Sequence, residues 1–224
     1  MYIAASGMVS EMARQDQIAN DLANAATPGY KADRSAQNAF GALLVTDLPT
    51  GTVVGALSRG VRVDRQETDF TPQPTRETGE PLDLAVVGEG FFAIQTPDGV
   101  RYTRNGSFQP AANGTLVDQL GNAVLGPNGQ PVQLPQDGTL DPRAVGVALV
   151  PDARKAGNGY FTGTTTGQAE TPPRQGALEA SSVDAARTMV DMMASMRAFE
   201  AGQKVIQVID TTLDKAANQV GQLR

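Results

Sequence analysis

"DQIANDLANAATPGYKAD", residues 16–33, decides how the chain is organised. Its first half has helix-forming composition, and its second half ends that helix abruptly. Proline disfavours the helical region for the residue before it, so Thr27 is predicted to be extended already. Pro28 and Gly29 suit the two central positions of a type II turn, where glycine supplies the positive φ. The chain therefore leaves a helical element at Pro28 and enters something different.

Working back to the start, heptad reading of residues 1–26 gives a stripe of Met1, Ala5, Met8, Met12, Gln15, Ala19, Leu22 and Ala26. The four-three spacing is that of a coiled-coil seam, with Gln15 its polar member. Val9, Ile18 and Ala25 widen it. Glu11, Arg14, Asp16 and Asp21 read as the solvated opposite face.

The C-terminal end repeats the design at greater length. Ser181 or Ser182 is placed to cap a helix beginning near Val183, with Asp184 favourable in its first turn. No proline interrupts the chain from there to Gln222, so about 40 residues predict a rod of about 60 Å. Ile206, Ile209, Leu213, Ala216, Val220 and Leu223 follow the three-four alternation. Met189, Met193 and Met196 form an earlier stripe in a different phase. Phe199 and Gly202 fall where the phase slips, which predicts a bend or packing adjustment there, since glycine weakens a helix by about 1 kcal/mol.

Between the helices the pattern changes to short apolar runs punctuated by Asp98-Gly99, Asn105-Gly106, Asn113-Gly114, Asn128-Gly129 and Asp137-Gly138. Such pairs mark hairpins and short loops. "LDLAVVGEGFFAIQT" reads as two strands around Gly88-Glu89-Gly90, and "VRYTRNGSF" as a hairpin. The predicted organisation is α+β. Residues 1–30 and 180–224 form a terminal helical assembly domain. Residues 31–80 form an extended connector ending in a strand near Val61-Arg62-Val63. Residues 81–179 form an antiparallel all-β domain with a Gly/Thr/Pro-rich return loop, Gly157 to Pro173.

A lone helix is marginal in water and depends on tertiary packing. Burying a Leu, Ile or Met side chain is worth roughly 1.5–3 kcal/mol. The two stripes must therefore meet each other or meet copies in neighbouring molecules. An intramolecular two-helix hairpin covers only one stripe per helix, and the extra apolar width favours further neighbours.

Composition removes many other functions. The chain has 24 Asp+Glu against 18 Lys+Arg, a net charge of -6 and no basic cluster, which argues against nucleic acid as a partner. It has no Cys, His or Trp, which excludes thiolate and imidazole nucleophiles and the usual zinc sites. No apolar stretch reaches the roughly 18–20 residues that a membrane span requires. Gly88-Glu89-Gly90 lacks the third glycine and βαβ context of a dinucleotide site, so a tight β-turn explains it better and no cofactor is expected. Asn105-Gly106-Ser107 and Asn113-Gly114-Thr115 match glycosylation sequons, but turn chemistry explains them better. Asp69, Glu77, Glu80, Asp83 and Glu89 offer carboxylates for a hydrolase, with a solvated acidic surface the default reading.

Three blocks resemble the axial proteins of the bacterial flagellum, specifically the rod proteins of the hook–basal body. "MYIAASGM" leading to "IANDLANAATPGYKAD" is similar to the N-terminal motif, with its LAN-x-x-T-x-G-(Phe/Tyr)-(Lys/Arg) core. "GEPLDLAVVGEGFFAIQTPDGVRYTRNGSF" is similar to the central signature. "GALEASSVDAARTMVDMMASMRAFEAGQKVIQVIDTTLDKA" is similar to the C-terminal motif, including Glu-x-Ser-x-Val and Arg-Ala-Phe-Glu. The family carries several residues ahead of the block that begins here at Tyr2, which makes Met1 a candidate internal start.

The resemblance implies a structural, non-catalytic subunit that leaves the cell through the flagellar type III export apparatus and polymerises with itself and other rod or hook proteins. It implies a helical layer built from both termini, without insertion into a membrane. The expected assembly residues are Met8, Met12, Leu22, Met189, Met193, Met196, Phe199, Ile206, Ile209, Leu213 and Val220. Asn24, Thr27, Gly29, Arg197 and Glu200 fall on the family's motifs. The short connector "FGALLVTDLPTGTVVGALSRG", Phe40 to Gly60, favours the proximal rod segment over the distal one. A secreted adhesin or sheath protein is the alternative from another class.

Overall fold

The computed structural model describes residues 2–39, 43–46, 53–57, 61–135 and 139–220, with side chains described over 5–34, 67–135 and 139–218. The Asp137-Gly138 pair and most of the short connector's loops lie outside the described residues. Helix α1 (Tyr2–Ala23) comes first, followed by β1 (Asp33–Ala39), β2 (Leu43–Thr46), β3 (Val53–Leu57), β4 (Val61–Thr68) and β5 (Thr75–Glu77). Next come β6 (Leu84–Ala85), β7 (Phe91–Thr96), β8 (Gly99–Thr103), β9 (Gln109–Pro110), β10 (Leu116–Val117) and β11 (Ala123–Val124). Then follow β12 (Val147–Leu149), β13 (Arg154–Gly157), β14 (Tyr160–Thr162), β15 (Gly167–Gln168), β16 (Arg174–Gln175), β17 (Ala177–Glu179) and α2 (Ala185–Val220). The class is α+β: two terminal helices in contact, and a central antiparallel sheet domain.

The chain divides into two compact units. The first contains residues 1–23, 33–67 and 185–224 and holds both helices. The second contains residues 24–32 and 68–184 and holds the main sheet. The stretch read as an extended connector is more ordered than that. Strand β1 pairs with β4, and β2 pairs with β3 in an antiparallel hairpin.

In the β unit, β7 and β8 form the central hairpin, with Phe92 opposite Thr103 and Thr96 opposite Gly99. Alternation along β7 explains its core: Phe92 and Ile94 point inward with Leu84, Leu116 and Val124, all without exposed surface. The other face carries Phe91, Phe161 and Phe70 in mutual contact, with ring centroids 5.3–5.7 Å apart. Aromatic edges against faces are the favoured geometry for such a cluster.

The two strands read around Gly88-Glu89-Gly90 are present as β6 and β7, and β6 pairs with β16. Two local readings need correction. Asn105-Gly106 does not close a hairpin. The Asn105 side chain accepts a bond from Ser107 N, and β8 pairs on its other side with β14. The Gly/Thr/Pro-rich return contains β14 and β15, because Phe161 supplies an apolar anchor that composition averaged away. By contrast, Asn113-Gly114 does join paired strands, β9 and β10.

Gly106 shows how closely the backbone packs beside this hairpin. A Cβ built there falls 1.6 Å from the Leu84 carbonyl oxygen, whose residue donates N–H to Gly106 O at 3.0 Å. Gly106→Ala is expected to cost about 2 kcal/mol or more, because the strand at Leu84 must move. Thermal unfolding of the β unit followed by circular dichroism measures it, with a lower midpoint as the expected outcome.

Candidate functional site: the helix pair and a buried ionic knot

The two helices run antiparallel. Met8 meets Gly202 and Glu11 meets Ser195, so rising numbers in α1 face falling numbers in α2. The Ser195 hydroxyl donates to Glu11 Oε2 at 2.6 Å. A Cβ at Gly202 would sit 2.9 Å from Met8 Cγ, so the absent side chain leaves room for the methionine. Along α2 the covered positions are Thr188, Met192, Ser195, Phe199, Gly202, Ile206 and Ile209. Their spacing alternates four and three without interruption. No break interrupts the helix at Phe199 and Gly202, which both lie in this seam, and the local packing adjustment there is the close approach of Met8 to Gly202.

Part of the expected α1 stripe, Met8, Gln15 and Leu22, is half-buried with Ile18 buried beside it, but other positions differ from the expected facing. Asp21 and Ser10 are buried, and Glu11 and Arg14 are half-buried, whereas Ala5, Met12 and Ala19 are exposed. The physical reason is that small and polar residues allow close approach and satisfy one another, as Glu11 and Ser195 do. Arg14, Gln17, Asp21 and Asp33 also line an open hollow of about 430 Å³ with Thr188 and Asp191.

Part of the apolar surface of both helices consequently points away from the pair. Met12, Met189, Met193, Met196 and Leu213 are each 49–55 % exposed, in company with Val9, Val190, Val205 and Val208. Met8, Leu22, Phe199, Ile206 and Ile209 are half-buried. The Val220 side chain lies outside the described residues. Arg197 and Glu200 are exposed on α2.

The N-terminal motif has a different task. Thr27 N donates to Asn24 O, and the Thr27 hydroxyl donates to Asn24 Oδ1 at 3.2 Å, closing the turn after α1. Gly29 has φ +66, and a Cβ there would lie 2.3 Å from both C and O of Arg104. Its N–H donates to Glu179 O at 2.9 Å. Ser181 Oγ donates to Asn24 O at 3.0 Å, Ser182 N to Tyr30 O at 3.0 Å, and Ala32 N to Ser182 Oγ at 2.7 Å. The serines read as caps thus stitch the two ends together, and α2 begins at Ala185.

Beneath these bonds lies an ionic knot that sequence reasoning missed. Lys31, Arg104 and Glu179 are each at most 2 % exposed. Glu179 Oε1 accepts from Lys31 Nζ at 2.7 Å and from Gln73 N at 2.9 Å, and Oε2 accepts from Arg104 Nη1 at 3.1 Å. Lys31 Nζ also donates to Thr71 O at 2.7 Å. The Arg104 guanidinium sits 5.1 Å from the Phe91 ring centroid, a cation–π contact on its remaining side. Burial lowers the Lys31 ammonium below its ordinary value, outweighing its bond to Glu179. Two cations thus share one carboxylate, and neither has water to fall back on. All three residues lie inside the motif blocks quoted above; a lysine ending a turn motif was the available signal.

The carboxylates considered for hydrolysis are not assembled for it. Glu77 pairs with Arg174, and Asp69 accepts from the N–H and hydroxyl of Thr71. Among the described residues, no group of three or more acidic side chains converges on a metal site, and no helix is long and apolar enough to cross a membrane.

Three family models match in the order that the blocks suggested. Residues 1–31 match "Flagella basal body rod protein", 85–147 "Flagellar hook protein FlgE/F/G D1 domain", and 174–220 "Flagellar basal body rod FlgEFG protein C-terminal". Flagellar basal-body rod protein FlgF of Escherichia coli is 33% identical, over 96% of each chain. The chain belongs to the flagellar basal-body rod protein family. Flagellar hook-basal body complex protein FlhO of Bacillus subtilis is 28% identical over 100% of this chain and 98% of the relative. Rod protein FlgG of the same organism is 27% identical over 97% of each. This rod-family chain is a structural subunit of the flagellar basal-body rod, and the family is not enzymatic.

In this rod-family chain the knot accounts for the motif's glycine. Gly29→Ala is expected to cost about 2 kcal/mol or more, since alanine is strained at this φ and its methyl group strikes the Arg104 backbone. Chemical denaturation of the full chain, read from the β unit, should show an earlier midpoint. An unchanged midpoint would mean that residues 24–32 are not docked.

Proposed function

We propose that this chain builds the proximal segment of the rod, polymerising helically through its terminal helices to form the drive shaft. The observation that carries the reading is the outward placement of Met12, Met189, Met193, Met196 and Leu213. Exposed apolar side chains in such a row forfeit several kcal/mol that burial against another molecule returns. The seam through Ser195, Phe199, Gly202 and Ile206 occupies the inner face of α2, so those exposed rows are available for copies of the chain and for other rod or hook proteins. Delivery through the flagellar type III export apparatus follows from the family resemblance.

The proximal choice rests on the connector. Phe40 to Gly60 spans a short stretch, and at about 3.3–3.6 Å per residue it offers little lateral reach for bracing neighbours along a long shaft. Identity is similar to relatives named FlhO, FlgF and FlgG, so the length of this segment is what favours the proximal position.

Met193→Asp and Leu213→Asp should abolish rod growth and motility while leaving the β unit folded, because each places a charge in a contact between molecules. Asp191→Ala should be milder. Swimming assays and electron microscopy of basal bodies give the readout, and normal rods in both Asp variants would refute helix-mediated assembly. Deleting the gene should arrest growth near the inner rod; a nearly complete rod lacking only its outer section would assign the chain to the distal segment instead.

A further inference from the structure

The chain has no cysteine and no tryptophan, so its seven methionine thioethers are its most readily oxidised groups. All seven lie within residues 1–12 and 189–196, and none falls in the β unit. The helix pair sorts those with described side chains into two sets. Met8 and Met192 are half-buried, and the Met8 sulphur lies 3.6 Å from where a Cβ on Gly202 would sit. Met12, Met189, Met193 and Met196 are each about half exposed. Met189, Met193 and Met196 are spaced by four and three, which puts them on one face of α2. Met12 follows Glu11, whose carboxylate meets Ser195, so it stands at the level of Met193 and Met196.

From this placement we infer that the four exposed methionines are an oxidation site that controls assembly: hydroperoxides convert them to sulfoxides in the free subunit, and the oxidised row no longer packs in the shaft. This control rests on the proposed burial of the row between rod molecules. In the reaction a thioether lone pair attacks one oxygen of the hydroperoxide. The S–O bond forms as the O–O bond breaks, and the departing oxygen takes up the proton and leaves as water or an alcohol. Sulphur loses two electrons and the peroxide gains them. The product replaces an apolar, adaptable side chain with a polar one. In the free subunit water hydrates the new oxygen, and the seam through Ser195 and Gly202 is untouched. Between two molecules the same oxygen must give up that water against apolar neighbours. Oxidation is therefore nearly neutral for folding and adverse to assembly. Packing in the shaft shields the same sulphurs, so the site is open only before incorporation.

Two measurements test this. After hydrogen peroxide treatment of the dilute full chain, peptide mass spectrometry should show Met12, Met189, Met193 and Met196 oxidised roughly threefold or more faster than Met8 and Met192. The circular dichroism spectrum should be unchanged. Equal rates at all six sulphurs, or loss of helix on oxidation, would overturn the site and leave helix-mediated assembly standing. In cells, glutamine supplies an uncharged polar side chain of similar length. Met12→Gln, Met189→Gln, Met193→Gln and Met196→Gln combined should cut the number of complete rods about tenfold, while leucine at the same four positions preserves them. Normal rods in the glutamine variant, or equal loss in the leucine variant, would overturn control by oxidation. Should Met193→Asp and Leu213→Asp still block growth in that case, the reading of the helices as the assembly surface survives; normal rods in all of them would remove it as well.

Discussion

A single carboxylate organises the ends of this chain. Glu179 accepts from the Lys31 ammonium and the Arg104 guanidinium, both buried, and from the Gln73 backbone. A buried ion pair contributes little net stability against an apolar replacement of equal volume, but breaking one by removing a partner costs about 3–5 kcal/mol. The arrangement therefore specifies more than it stabilises: a chain with these charges has few other ways to fold its ends. Fixing Asn24 near Ser181 also matters for the helices. Closing a loop of about 160 residues between α1 and α2 costs about 3 kcal/mol more than closing one of a few residues, so a tether at the knot favours their pairing.

The helix pair then departs from the usual amphipathic arrangement. Its inner face mixes Ser10, Glu11, Ser195 and Gly202 with Met8, Phe199 and Ile206, and its outer face carries Met12, Met189, Met193, Met196 and several valines. For an isolated hairpin this wastes apolar area. For the proposed rod subunit it is economical, since the mixed seam fixes which faces turn outward and the outer rows gain their burial only on assembly. Methionine suits that role because its unbranched side chain adapts to several neighbours.

Much of this was legible in the sequence. The break at Thr27-Pro28-Gly29 with its positive φ at Gly29, the three-four alternation through Ile206 and Ile209, and the turn at Asn113-Gly114 follow from local rules. The covering of Glu11, Arg14 and Asp21 did not, because heptad reading assigns polar residues outward and takes no account of Glu11 finding a hydroxyl on α2. The knot was equally out of reach: Lys31 and Glu179 are separated by 148 positions, and a charged residue beside turn residues reads as solvated. Nor does composition disclose β14, where one phenylalanine among glycines and threonines nucleates a strand. Local propensity was readable; long-range charge pairing was not.

The placement of the apolar rows is tested most directly by accessibility in the assembled shaft. The chain contains no cysteine, so Met193→Cys and Ser195→Cys each introduce a unique thiol. Maleimide labelling of the dilute protein and of isolated basal bodies should show Met193→Cys reactive in the first and shielded in the second. Ser195→Cys should be shielded in both. A Met193→Cys thiol that stays equally reactive in the basal body would contradict the account.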